Sequence, residues 1–210
     1  MNTYLNEEEQ VEALKKWWQE NGKSVVGGVL LGLLIVGGWR GWQHYERGQG
    51  EAAAARYEQV LATAEAGQAE SAYSLAARLD AEFSGSPYTF LAALHVAKLK
   101  LAAGDKAGAR GRLEWVRLHA EDPAIRQLAT LRLARVLVDA GDLDDAQRIL
   151  DGAPKDALAP ELAEVRGDLA RARGQVAAAR AAYEEALRGK ANSALLRMKL
   201  DDLPAASGNS

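Results

Sequence analysis

Residues 24–39 read SVVGGVLLGLLIVGGW, sixteen positions without a charge, in a chain otherwise studded with charges. Such a run has one natural solvent, the interior of a bilayer. As a helix it covers about 24 Å at 1.5 Å per residue, against a hydrocarbon core of about 30 Å. Extension through Trp42 brings it to about 28 Å, provided Arg40 carries its guanidinium out to the headgroups. The flanks agree: Lys23 and Arg40 bracket the run, with Trp17 and Trp18 on one side and Trp39, Trp42 and Tyr45 on the other. Amphipathic rings collect at both water interfaces of a spanning helix, and of the 5 tryptophans only Trp115 lies elsewhere. A single transmembrane helix is expected over residues 24–42. Trp17, Trp18, Lys23, Trp39, Arg40 and Trp42 are its membrane-interface anchors, in contact with lipid.

A cleaved signal peptide is the competing reading, because the run is short. Where the peptidase needs small residues the chain has Trp39, Arg40, Gly41 and Trp42, and the first suitable stretch, residues 52–55, is distant. A buried soluble helix would carry Gly27, Gly28, Gly32, Gly37 and Gly38 at a cost of about 1 kcal/mol each relative to alanine. In a membrane, small residues let helix backbones approach closely. Ser24, Gly28 and Gly32 form such a stripe, and Gly37 and Gly41 repeat the spacing. These five positions are the candidate membrane-helix interaction face.

Charge alone does not orient the span. Lys15, Lys16 and Lys23 precede it and Arg40, Arg47 and Arg56 follow, a tie under the positive-inside count. Long domains translocate largely regardless of charge, so residues 1–23 are expected to be cytoplasmic and the remainder exported. The absence of cysteine fits an oxidising compartment without requiring one. Within the tail, Asn6 and Glu9 have capping-box spacing, and Val11, Leu14 and Trp18 fall on one helical face. Asn21-Gly22 then supplies a stop. Such a helix either lies on the membrane surface or docks a cytosolic partner. Gly22-Lys23-Ser24 has the last letters of a phosphate-binding loop, but Trp17 stands where its first glycine belongs.

Beyond the span the chain is rich in alanine, leucine and arginine. With 26 basic and 29 acidic residues overall and both signs interspersed, it lacks the basic stripe that nucleic acid demands. Apolar residues recur at helical spacing, as at Leu128, Leu131, Leu133, Ala134 and Leu137, so the expected fold is all-α. The breaks are periodic: Gly67, Gly104, Gly141 and Gly174 follow one another at 37, 37 and 33 residues. Five places after each glycine stands alanine (Ala72, Ala109, Ala146, Ala179). Nine places after stand Ala76, Leu113, Leu150 and Tyr183, and twelve after stand Leu79, Val116, Ala153 and Ala186. Two helices per unit, glycine at the turn and a small residue at the crossing make the tetratricopeptide layout. The first unit reads as degenerate, with Arg56 and Gln59 in core-like positions, and Arg166 departs from type in the last. Pro87, Pro123, Pro154 and Pro160 fall between units, where helices end or begin. The expected organisation is a tail over 1–23, a transmembrane helix over 24–42, an α-hairpin solenoid over 43–203 and a flexible end over 204–210.

Nothing suggests catalysis. His44, His95 and His119 are scattered without a metal-ligand cluster, His95 reading as a core or boundary histidine. Asp144-Asp145 and Glu184-Glu185 read as solvated faces. No cofactor and no small-molecule substrate are expected. Stacked hairpins offer an extended surface for polypeptides instead.

The chain resembles the YfgM family, the ancillary SecYEG translocon subunit of Gram-negative bacteria. The resemblance is carried by residues 9–13 (Glu-Gln-Val-Glu-Ala), Asn21-Gly22-Lys23, the Gly-Val-x-Leu-Gly of residues 28–32, Gly38-Trp39-Arg40 and Trp42. Residues 131–136, Val165-Arg166-Gly167-Asp168 and Met198-Lys199-Leu200 extend it. It implies a single-pass inner-membrane protein with a cytoplasmic tail and a periplasmic tetratricopeptide-like domain. The implied partners are the SecYEG channel, the periplasmic chaperone PpiD and unfolded exported proteins. A link between the tail and a stress-response regulator is implied as well. The alternative is a membrane-anchored repeat scaffold for haem biosynthesis or envelope assembly.

Overall fold

The computed structural model describes residues 3–154, 158–190 and 193–204, with side chains from Gln10 onward. The expected cap at Asn6 and Glu9, and residues 205–210 of the C-terminal end, therefore lie outside the described side chains. The described residues are helical and contain no strand. The chain divides into two compact units, Met1–Glu51 and Ala52–Ser210.

The described residues of the first unit are all helix, the leading part of α1 (Thr3–Glu65, 63 residues). The expected stop at Asn21-Gly22 is not one, because two local contacts override the low helix propensity of that pair. Asn21 Nδ2 donates to the Trp17 carbonyl one turn back at 3.1 Å. The Trp18 indole lies over Gly22, where a Cβ would come within 3.2 Å of the ring. Further along, consecutive apolar side chains stand open on every side of the helix, Leu34 being 74% exposed. The stretch Gln10–Glu65 holds a window of mean hydropathy 1.6 and is the one described helix long and apolar enough to cross a membrane.

The second unit is a stack of hairpins. Residues 52–65 of α1 pair with α2 (Ala69–Glu82), α3 (Pro87–Ala102) with α4 (Lys106–His119), and α5 (Pro123–Ala140) with α6 (Leu143–Asp151). Then α7 (Ala159–Ala172) pairs with α8 (Val176–Gly189), and α9 (Ala194–Asp201) closes the end. Pro87 and Pro123 open α3 and α5 behind the N-caps Ser86 and Asp122, where a missing N–H costs nothing. All four repeat glycines adopt left-handed backbone, with φ of +76° at Gly67, +82° at Gly104, +84° at Gly141 and +73° at Gly174. Each turn closes alike: Gln68, Asp105, Asp142 and Gln175 donate backbone N–H to the carbonyl five residues back, at 3.1, 2.8, 2.9 and 2.8 Å. This pairing satisfies carbonyls orphaned at the helix end and demands a residue free to take positive φ. One sequence signal thus sets one hairpin geometry four times.

The alanines five places on, Ala72, Ala109, Ala146 and Ala179, are completely buried, and the positions nine and twelve places on are buried with them. The core falls into three adjoining clusters: one around Val60 and Leu79, a central one from Phe90 to Leu169, and one around Tyr183, Leu196 and Leu203. Two expectations for this second unit need correction. Arg56 and Gln59 are not core residues; Ala53, Val60 and Ala64 fill that role, while Arg56 reaches out to Glu82 at 3.4 Å. Asp145 is not merely solvated, because it joins α6 to α4.

That junction is an arginine fork. Arg110 reaches Glu114 Oε1 at 3.0 Å, Asp142 Oδ2 at 2.9 Å and Asp145 Oδ2 at 2.8 Å, and Arg148 also bonds Asp145. The Arg110 hydrogen bond, against a smaller effect of desolvation, holds the Asp145 carboxyl below its ordinary range. A carboxylate depressed in the folded state stabilises above its unfolded pKa, and that stabilisation disappears as pH falls through the folded value. Exchange protection of α6 amides should therefore be constant near neutrality and decline in acid below the usual carboxylate range. Arg110→Gln should weaken protection at neutral pH and flatten the acid decline. An unchanged profile would show that the fork contributes nothing.

Candidate functional site

Two surfaces are available for partners. The first is the apolar portion of α1. Gly28, Gly32, Gly37 and Gly41 each have open space where a Cβ would stand, with nothing among the described residues within 4 Å. Continuous helix divides the expected face. At about 100° per residue, Ser24, Gly28 and Gly32 run along one side, whereas the five-residue step to Gly37 turns the stripe about 140° away. Gly37 and Gly41 form a second, separate strip. Among the interface residues, Trp17 and Trp18 are about half exposed with ring centroids 6.5 Å apart. Trp39 and Trp42 project freely, and Lys23 and Arg40 are exposed.

The second surface lies along α3, α5 and α7, the leading helices of successive hairpins, and holds two neighbouring clefts. Between α5 and α7 a cleft of about 420 Å³ is lined by Arg135, Val138, Asp139, Val165, Asp168 and Lys199, among others. Arg171 lines it as well, and of its three cations Lys199 is the one held by carboxylates within 3.0 Å. Lys199 Nζ on α9 contacts Glu164 Oε1 at 2.9 Å and both Asp168 oxygens at 2.8 Å. Tyr183 donates its hydroxyl to Asp168 Oδ1 at 2.8 Å. Burial and then that hydrogen bond push the Tyr183 phenol far above its ordinary pKa, so it remains a donor. Lys190 joins the group through Glu161 at 3.0 Å. These links tie α8 and α9 to α7; sequence gave no sign of them, since Lys199 and Glu164 lie 35 residues apart.

The other cleft, about 400 Å³, lies over α3 and α5, with Leu94, Leu113 and Val136 beneath and Lys98, Arg132 and Arg135 at the rim. His95 is half-buried beside it. Burial, then the Lys98 charge, lower the His95 pKa; Glu65 opposes and Arg132 adds to the lowering. The ring is thus neutral at pH 7. His119 instead stacks on Trp115 at 5.4 Å. Among the described residues no three His, Cys, Asp or Glu side chains gather where they could hold a metal. Neither cleft pairs a nucleophile with a base. Both have the chemistry of recognition.

An open apolar helix followed by hairpins with glycine turns, alanine crossings and a closing helix defines a tetratricopeptide-type scaffold carrying a candidate membrane span. The family profile described as a tetratricopeptide repeat-like domain matches residues 15–205. Among solved structures, a Podosopora anserina kinesin light chain protein of nearly identical TPR-like repeats superposes with a TM-score of 0.51. It is 20% identical and covers 72% of this chain and 84% of its own, a likeness of fold alone. The ancillary SecYEG translocon subunit of Escherichia coli K12 is 30% identical over 206 residues, 97% of this chain and 99% of that protein. Its namesakes in Haemophilus influenzae and Neisseria gonorrhoeae are 27% identical (95% of this chain, 98% of that one) and 29% identical (97% and 100%). The chain belongs to the ancillary SecYEG translocon subunit family.

Proposed function

We propose that this protein is a single-pass inner-membrane adaptor that works beside the SecYEG channel. Its repeat domain faces the periplasm and passes newly exported chains towards chaperones such as PpiD. One observation carries the reading: likeness to the translocon subunits runs through apolar helix and repeats together, 97% of this chain against the Escherichia coli protein. The physical parts suit the task. An apolar helix exposed on all sides is soluble in lipid, and the Ser24, Gly28 and Gly32 strip allows another helix to come close. Trp17, Trp18, Lys23, Trp39, Arg40 and Trp42 hold the helix at the two interfaces. The repeat unit supplies surface rather than chemistry, so its output is binding and not turnover. Residues 1–23 remain in the cytoplasm, where they are accessible to a stress-response regulator.

Photo-crosslinkers at Val29 and Leu33, both more than half exposed, should capture a channel subunit or PpiD in native membranes. Recovery of lipid alone from every position around the helix would remove the adaptor reading. Gly28→Leu should cut co-purification with the partner about tenfold, the effect of losing about 1.4 kcal/mol of helix packing, while the variant still sediments with membranes. Undiminished co-purification would discard the strip. For topology, protease should reach the repeat unit in spheroplasts but not in intact cells; protection in spheroplasts would reverse the orientation.

A further inference from the structure

We infer that the cleft over α3 and α5 is a docking site for an extended partner segment in which an acidic side chain stands next to a large apolar one. The inference rests on the adaptor reading and adds the chemistry of what is held. Leu113 and Leu94 are 1% and 3% exposed, so the bottom of the cleft is packed hydrocarbon that receives an apolar side chain without rearrangement. The rim is cationic. Lys98, Arg132 and Arg135 line the cleft and no carboxylate does. By contrast, Lys106, Arg110, Arg173, Lys190 and Lys199 each hold a carboxylate within 3.0 Å. Arg132 and Lys98 make no ion pair or hydrogen bond among the described residues. Arg135 has only Glu164 at 3.7 Å, an oxygen pair already engaged by Lys199 at 2.9 Å.

The acidic groups nearby do not neutralise the rim. Asp139 is committed to Lys106 at 2.6 Å, and Glu65 only partly offsets the effect of Lys98 and Arg132 on His95. The adjoining α5–α7 cleft also holds cations, Arg135, Arg171 and Lys199, but Asp139 and Asp168 line it with them, so a partner's carboxylate would meet like charge there. Three cations around a hydrocarbon floor call for a partner that brings negative charge and apolar surface within a residue or two of each other. A polypeptide does so readily. Nucleic acid does not, since it brings phosphate without aliphatic groups and the chain as a whole carries a net charge of −3.

The test uses the full chain in nanodiscs and three fluorescein-labelled, amidated octapeptides alternating leucine with aspartate, asparagine or lysine. The Leu/Asp peptide should bind about tenfold more tightly than the Leu/Asn peptide, the size expected of a charge-assisted contact, and the Leu/Lys peptide more weakly still. Arg132→Gln should remove that preference with an unchanged unfolding temperature, and Arg188→Gln, on the exposed side of α8, should retain it. Equal affinity for all three peptides would overturn the site. So would displacement of the Leu/Asp peptide by short-chain phosphatidylglycerol as effectively as by unlabelled peptide. Crosslinking from Val29 in the same Arg132→Gln membranes separates the two levels: persistent capture of a channel subunit together with lost peptide preference supports the cleft. Absent capture by the parent chain removes the adaptor reading beneath it.

Discussion

Arginine at both Leu31 and Leu34 should move the chain from the alkaline-carbonate pellet to the supernatant or prevent its export altogether. Both residues are in the centre of the uncharged run, 60% and 74% exposed on the helix. On insertion scales an arginine at the centre of a span costs about 3 kcal/mol, and the replaced leucines give up favourable terms of their own. Two such changes exceed what a short, glycine-rich helix gains by insertion. Arg40 already needs the headgroup region, so the variant cannot slide along the helix axis to relieve both new charges at once. A double variant that still resisted carbonate would mean that protein, not lipid, surrounds residues 24–42.

The second large effect is expected at Gly167. A Cβ there would come within 2.4 Å of Tyr183 Cδ1 and Cε1. The ring has little room to retreat, being completely buried and held through its hydroxyl by Asp168 at 2.8 Å. Gly167→Val should therefore destabilise the α7–α8 hairpin by about 3 kcal/mol, the upper end of ordinary overpacking, measured by denaturant unfolding of the repeat unit. Gly111 supplies the contrast. It is on the exposed side of α4 with open space at its Cβ position, so Gly111→Ala should stabilise by about 1 kcal/mol through helix propensity alone. If the two substitutions shifted stability in the same direction, close packing at Gly167 would not be the cause.

What could be read from sequence follows the range of the forces involved. The glycine turns and the buried alanines were legible because each depends on backbone geometry within a few residues: only glycine readily takes φ near +80°, and only a small side chain fits the helix crossing. In the first hairpin the turn was legible but the buried face of the leading helix was not, because residues 52–55 are all alanine. A helix apolar on every side there gives periodicity no means of choosing the face that Ala53, Val60 and Ala64 bury. Asn21-Gly22 misled for the opposite reason, a strong local signal overridden by the Trp18 ring. The two clefts were beyond reach. Whether Arg132 has a partner and Lys199 has several is decided by side chains 30 or more residues away, which pattern alone does not bring together.

The closing helix has a consequence for assembly. Leu196 and Leu203 fill the last apolar position against Ala163, Ala170 and Tyr183, and Lys199 fastens them with two carboxylates. The inner face of the terminal hairpin is therefore covered, while α9 presents Leu195 and Met198, 52% and 56% exposed, on its own outer side. End-to-end stacking, the standing hazard of repeat architectures, would here have to begin on the outer side of a helix of 8 residues rather than on the hairpin it covers.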